Sequence, residues 1–414
     1  MRILMVVNIV LPKVTKFLDK EVPVTGGWLS GIVDNISKIN GIKLGVASPY
    51  EGKELKHFVV EGVEYYLLPK LGLYDVNEED CKLIFNQFNP DVLHIEGSEF
   101  KHSNTFINSW DGNNVLSLQG VVNGILPYFT GGLSLTKLLF SCKIPEIIGA
   151  ISILIKFRLF KTRLVWERDT ILKSKNILGR TNWDRSFARK FNSTAKYYSC
   201  NRILREPFYD SKNQWNINNI ERYSIYIGNS YQPIKGFHFV IEAVSRLKLR
   251  YPSIKIYVAG ISPYDSKIQH NYFKNGYALY LRYLISKFNL YDNFEFLGNI
   301  NATEVANRLS KSNIYCLASS IENSPNTLAE AMILGVPSVA SFVGGVSDMA
   351  IDNYEALLYR FDEIDMLVHQ ISRIFDDDEL AIKLSKNARN KALKAHSIDK
   401  IIENLYKCYI DITK

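Results

Sequence analysis

Short apolar runs recur along the 414-residue chain, with longer amphipathic stretches between them. In the first half they fall at Arg2–Asn8, Lys43–Ser48, Glu64–Leu68, Asp91–Glu96, Asn114–Leu118, Asn176–Gly179 and Lys196–Tyr198. Most lack a period of two and are apolar at consecutive positions, the pattern of parallel strands covered by helices on both faces. A second series follows at Ser224–Ile227, Lys255–Ala259, Phe294–Leu297, Asn313–Leu317 and Ser338–Phe342. Helices are predicted in the gaps, among them Phe237–Arg250 and Ala302–Lys311. The alternation predicts two doubly wound α/β halves joined near 205–220, a first domain over 1–210 and a second over 211–395. Ile398, Ile401, Ile402, Leu405, Tyr409 and Ile412 then follow a 3.6-residue period, so a final helix over 396–414 must have its apolar stripe covered. Return onto the first domain and packing on its own domain both satisfy that pattern.

Composition narrows the class. Hydrophobic residues make up 47% and charged residues 22% of the chain, without low-complexity tracts or heptads, which excludes disordered and fibrous classes. Cys81, Cys142, Cys200, Cys316 and Cys408 are scattered and include no C-x-x-C pair. That argues against a disulfide framework or zinc site and for a reducing, cytoplasmic setting. The opening MRILMVVNIVLP imitates a signal peptide but has no small-residue cleavage pattern after it, and reads as a buried first strand.

The net charge of +8 is uneven: 131–190 holds thirteen Lys and Arg against Glu146, Glu167, Asp169 and Asp184. The clean apolar run Ile147–Ile155 is about half the length that spans a bilayer. An interfacial helix on an anionic membrane and a pair of core-closing helices with solvated charges are both open readings. No nucleic-acid partner is expected.

Chemistry concentrates in IENSPNTLAEAMILGVPSVAS, from Ile321 to Ser341. A strand over Asn313–Leu317, a loop over Ala318–Pro325 and a helix over Thr327–Leu334, stopped by Gly335, place this loop at a strand's carboxyl end. In open α/β sheets ligands sit there. The helix opening would offer the N–H groups of Asn326, Thr327 and Leu328 to an anion. Glu322 in the loop and Glu330 inside the helix suit hydroxyl groups instead. A nucleotide sugar supplies both chemistries; a dipole-favoured helix carboxylate plus an exposed loop acid is the structural alternative.

The stretch SSIENSPNTLAEAMILGVPSVASFVGGVSDMA resembles the donor-binding signature of family-4 retaining glycosyltransferases of the GT-B fold: Glu, seven residues, Glu, then Ala, Gly-x-Pro and Gly-Gly before Asp. YIGNSYQPIKGFHFVIEAV resembles the segment whose Lys-Gly meets the donor diphosphate, and IKIYVAG, FEFLGNI and SNIYCLASS resemble the strands that follow. TGGWLSGIVDNI, PDVLHIEGSEF and VLSLQGVV resemble first-domain motifs. The resemblance covers nearly the whole chain, most closely Ser224–Ala350 and most loosely Asn123–Leu172. It implies two Rossmann-like domains facing a cleft, with the final helix crossing back. It also implies transfer of a hexosyl unit from a nucleotide sugar, with UDP commoner than GDP, to a saccharide or polyprenyl-linked saccharide in surface polysaccharide assembly. No cofactor or essential metal is implied. A peripheral place on the inner membrane face would suit the basic span.

By that resemblance Glu330 would hold ribose hydroxyls, Glu322 the transferred sugar, and Lys235 the diphosphate as leaving-group charge develops. Gly26 and Gly27 would admit the phosphates, with Gly228, Asn229, Gly236 and Ser324 completing the donor loops, and Gly298, Asn299 and Ile300 would meet the base. Gly26-Gly27 also reads as a plain helix-capping turn.

Two departures stand out. Gly228-Asn229 replaces the family's Gly-Arg, leaving Arg180 or Arg205 to substitute or to be structural. Gln119-Gly120 replaces His-Gly, and a Gln cannot take a proton. His94 and Glu96 are then candidate acceptor-side groups, with a core or loop reading beside it. Gln119 is expected to position rather than ionise. A nucleotide-sugar epimerase of the same fold and a non-catalytic nucleotide-sugar-binding relative are the alternatives.

Overall fold

The computed structural model describes residues 1–18, 27–72, 75–133, 144–265 and 276–414. They form two α/β units. The first comprises Met1–Gly124, Phe160–Arg205 and His396–Lys414, the second Ile125–Leu159 and Glu206–Ala395. The division is not a single cut near residue 210, because Ile125–Leu159 group with the second unit.

The first unit is built on β1 (Arg2–Val6), β2 (Lys43–Tyr50), β3 (Lys56–Val60), β4 (Val63–Pro69), β5 (Val92–Glu96), β6 (Asn114–Ser117), β7 (Asn176–Gly179) and β8 (Lys196–Ser199). They lie in the order β3-β4-β2-β1-β5-β6-β7-β8, all parallel except β3 against β4. β3 was not expected from the pattern. It is mostly exposed at the sheet edge and joins β4 through Glu61 and Gly62, both at positive φ (51° and 79°), the turn that suits a tight hairpin.

The missing alternation has a direct cause. Ile3 and Met5 enter one buried cluster with Leu29, Val33 and Tyr65, while Leu4 and Val6 enter another with Phe88, Ile95 and Phe106. Both faces of β1 are covered, so both parities are apolar.

The tail helix Ile398–Thr413 belongs to this unit. Its stripe of Ile401, Leu405, Cys408 and Tyr409 is buried in the cluster with Ile32 and Val33 of the helix Gly27–Ile36. The helix Ile144–Lys173 groups with the second unit up to Leu159 and with the first from Phe160 onward.

The second unit holds β9 (Glu221–Ile227), β10 (Lys255–Ala259), β11 (Phe294–Gly298), β12 (Ser312–Leu317), β13 (Ser338–Ser341) and β14 (Leu357–Tyr359). Their order is β11-β10-β9-β12-β13-β14, all parallel. The three-residue β14 is too short to show in the hydrophobic pattern. Strand order reverses between β9 and β12, so their carboxyl ends diverge into the crevice where doubly wound sheets bind ligands.

Candidate functional site

At that reversal, β9 runs into Gly228. A Cβ there would lie 3.1 Å from Thr327 Cγ2, so glycine lets the strand end close on the helix Asn326–Leu334. Asn229 is exposed and its Oδ1 accepts the Tyr231 N–H at 3.0 Å, shaping the turn.

The next turn, Pro233–Lys235, ends at Gly236 with φ of 68°. A Cβ on Gly236 would lie 1.9 Å from the Ala318 carbonyl oxygen, a second reason for glycine. The Ser320 N–H donates to the Ile234 carbonyl at 2.8 Å and fastens the turn to the loop after β12.

Two acids and a lysine gain their places from this docking. Lys235 Nζ donates to Glu322 Oε1 at 2.6 Å, and Ser319 Oγ donates to the same oxygen at 2.7 Å. Ser341 Oγ holds the Ser319 carbonyl at 2.6 Å. Behind Glu322, its carbonyl accepts the Gly345 N–H at 3.0 Å, and a Cβ on Gly344 would lie 2.0 Å from that carbonyl. The Lys235 and Glu322 side chains keep 29% and 14% exposure, enough for a ligand to reach both. Partly exposed ion pairs contribute about 0–1 kcal/mol, so stability is a weak reason for this pair.

The helix Asn326–Leu334 is buried from Leu328 to Leu334, including Glu330 at 3% exposure. Its opening corrects one expectation. Leu328 N–H donates to the Pro325 carbonyl at 3.1 Å, so only Asn326 and Thr327 keep the outward amides of a helix start. Tyr315 OH donates to Thr327 Oγ1 at 2.7 Å. Burial, with the charges of Glu322 and Glu330 adding, pushes the Tyr315 hydroxyl well above its ordinary range. One buried tyrosine therefore feels both acids.

Ser324 is half-buried in the same loop. Gly298, at φ of 69°, gives its carbonyl to Gly260 N–H at 2.8 Å; Asn299 is exposed and Ile300 half-buried beside it.

Sequence reasoning missed a further wall. Gly131, at φ of 62°, sits so close that a Cβ would lie 2.0 Å from the Pro233 carbonyl. Ser320 Oγ lies 3.2 Å from both the Tyr128 and Ile234 carbonyl oxygens. The Gly-Gly of residues 131–132 was the available signal.

The first unit corrects several assignments. His94 is fully buried, with Nδ1 2.6 Å from Tyr409 OH and Nε2 2.7 Å from Ser117 Oγ. Burial lowers its pKa and favours the neutral ring. Glu96, 1% exposed, pairs with Arg202 at 3.0 Å, and Arg202 stacks on Trp28 at 3.5 Å. His94 and Glu96 are thus interior groups, whose role is to join the tail helix and strand ends.

Arg180 donates to the Leu118 and Gln119 carbonyls at 3.0 and 2.9 Å, and burial, aided by the Arg202 charge, lowers its pKa to about 10. It therefore holds the Gln119 backbone. Arg205 lies against Gly27, its Cγ 3.2 Å from where a Cβ would stand. Gly26 lies outside the described residues. Glu96, Ser117, Arg180, Asn201 and Arg202 line a cavity of about 20 Å³, room for roughly one water.

Among the described residues no cluster of three or more His, Cys, Asp or Glu is placed to hold a metal ion, and no helix is long and apolar enough to cross a membrane.

The comparisons agree with this architecture. The chain has the GT-B fold: sucrose-phosphate synthase from Thermosynechococcus elongatus superposes with a TM-score of 0.72 at 15% identity, covering 99% of this chain and 98% of that one. Anabaena HepE in complex with UDP-glucose superposes with a TM-score of 0.66 at 13% identity, covering 99% and 100%.

Residues 208–391 match the family model described as Glycosyl transferases group 1. A relative in Escherichia coli, UDP-Gal:alpha-D-GlcNAc-diphosphoundecaprenol alpha-1,3-galactosyltransferase, is 29% identical over 109 residues, covering 26% of this chain and 28% of the relative. The matched stretches span 27% to 49% of the curated relatives' lengths.

Proposed function

We propose that the chain transfers a hexosyl unit from a nucleotide sugar, UDP-linked, to a saccharide or lipid-linked saccharide acceptor, with retention at the transferred carbon. The observation that carries this reading is the Lys235–Glu322 pair, fastened at the reversal of strand order beside the opening of the helix that contains Glu330. Lys235 offers a cation to the diphosphate, Glu322 an acceptor to the sugar's hydroxyls, and Glu330 one to the ribose. Asn326 and Thr327 supply the amides for a phosphate oxygen. UDP is supported by HepE, whose structure holds UDP-glucose, and by the galactosyltransferase relative, named for a UDP-Gal donor. The same relative, named for a diphosphoundecaprenol-linked sugar, supports a lipid-linked acceptor.

With Lys235 as the charge that meets the leaving diphosphate, no metal is required. Turnover in EDTA should equal turnover in Mg²⁺. Transfer from a panel of UDP- and GDP-sugars, with product anomers read by NMR, tests the reading directly. Tight binding without turnover would favour a non-catalytic relative, and an inverted product would remove retention.

A membrane surface is the proposed second partner. The helix Ile144–Lys173 exposes Ile151, Leu154, Ile155, Leu159 and Val165 along one side, with the exposed cations Arg158 and Lys161 beside them. Apolar residues flanked by cations suit the interface of an anionic bilayer.

A further inference from the structure

Gln119 after β6 stands where the resemblance implies a histidine, and the end of the neighbouring strand β5 supplies a titratable group that sequence reasoning passed over. β5 ends at Glu96 and turns through Gly97, whose φ is 95°. A Cβ on Gly97 would lie 2.8 Å from Glu99 Oε2 and 3.4 Å from Gln119 Cδ. Glu99 therefore folds back over the bare glycine, and the Gln119 side chain lies over the same glycine. In the first unit, β1 and β5 are the strands at which strand order reverses, the ligand-binding position of a doubly wound sheet.

Glu99 is half-buried, with its Oε2 and the nearby Gln119 Nε2 both turned away from solvent, and among the described residues no other residue donates a hydrogen bond to that Oε2. Its neighbour Glu167 contrasts with it. That fully buried carboxylate takes Val122 N–H at 2.6 Å, Asn123 N–H at 2.8 Å, Asn123 Nδ2 at 2.6 Å and Ser98 Oγ at 3.3 Å. Glu167 is occupied by its own fold, whereas Glu99 retains acceptor capacity.

The geometry points to Glu99 and Gln119 as a hydroxyl-binding subsite for the acceptor saccharide, with Glu99 receiving the hydroxyl hydrogen and the Gln119 amide fixing a neighbouring oxygen. A carboxylate beside an amide over a glycine floor matches the mixed donors and acceptors of a sugar edge. Arg180, by holding the Gln119 carbonyl, is the positioning residue of this pair. Burial, and to a smaller extent the Glu167 charge, push the Glu99 carboxyl up to about 7, against a hydrogen bond from its own backbone N–H and the charges of Arg163 and Arg202. Those groups and Arg180 are the charges whose fields reach it. Its accepting form therefore fills as pH rises through neutrality.

The proposal rests on the glycosyltransferase reading, and the experiment separates the two. Transfer from UDP-sugars to a panel of octyl glycosides is measured from pH 5.5 to 8.5 for wild type, E99Q and E99D, with UDP affinity by calorimetry. The expected result for E99Q is a fall of about tenfold or more in kcat/KM for the glycoside, the size of a lost charge-assisted hydrogen bond. UDP affinity should be unchanged, and the wild-type rise near pH 7 should be absent from E99Q and retained in E99D. E99Q is isosteric and removes a buried charge, so a thermal midpoint at or above wild type confirms that it folds. If wild type transfers sugar and E99Q keeps its glycoside kcat/KM and pH profile, the subsite is overturned and the transferase reading stands. A wild-type chain that neither binds nor turns over any nucleotide sugar overturns the reading and the subsite with it.

Discussion

Lys235 and Glu330 hold different parts of one ligand in the proposed reading, so their loss separates in measurement. Lys235→Ala removes the charge that meets the developing diphosphate, and kcat should fall by about 10²–10³ while nucleotide affinity changes much less. Glu330→Ala removes a buried acceptor for the ribose, and UDP affinity should fall by about tenfold or more in calorimetry. Equal affinity in wild type and variant would refute the ribose assignment. Glu99 carries a stability signature of its own. Its folded pKa, raised to about 7, lies above the ordinary carboxylate value, so the native state binds the extra proton between them. Stability therefore falls as pH rises through that window, and E99Q should melt higher than wild type at pH 8 but not at pH 4.

At the scale of elements, the turns decide more than the strands. Gly236→Ala meets both a positive φ of 68° and a carbonyl 1.9 Å from the new Cβ. The left-handed conformation alone costs about 1–2 kcal/mol for an L-residue. The turn must shift, so turnover should drop toward the Lys235→Ala level together with a lower thermal midpoint. Much of this was legible beforehand. The Glu-x7-Glu spacing, Lys235-Gly236 and Gly335 are local signals, and the helix from Asn326 starts within one residue of its expected place. Gly131-Gly132 marked a turn, but its approach to the Pro233 carbonyl and the contacts of Ser320 were not legible, because each reaches a backbone carbonyl far along the chain that no spacing encodes. Glu96 and His94 read as site residues for the same reason in reverse: nothing local says that Arg202 and Tyr409 close over them.

At the scale of the molecule, the tail helix and the basic helix pose separate tests. Leu405 is 3% exposed in the core shared with the helix Gly27–Ile36, and Leu405→Ala should cost about 2–5 kcal/mol, read by denaturant unfolding. The outer side of the helix Ile144–Lys173 should float the chain with anionic vesicles at low salt. It should release them near 1 M salt, where screening acts within about 3 Å. No flotation at low salt would remove the membrane partner.

Periodicity and punctuation along the chain were sufficient for the doubly wound class and for most strand positions, because covered parallel strands and helix stops are written in neighbouring residues. The pairing of Lys235 with Glu322, the sealing of His94 and the folding of Glu99 over Gly97 arose only when strands distant in sequence were set side by side. Which side chains share one crevice is fixed by sheet order and by carbonyls that a single Cβ would strike, and neither has a period to read.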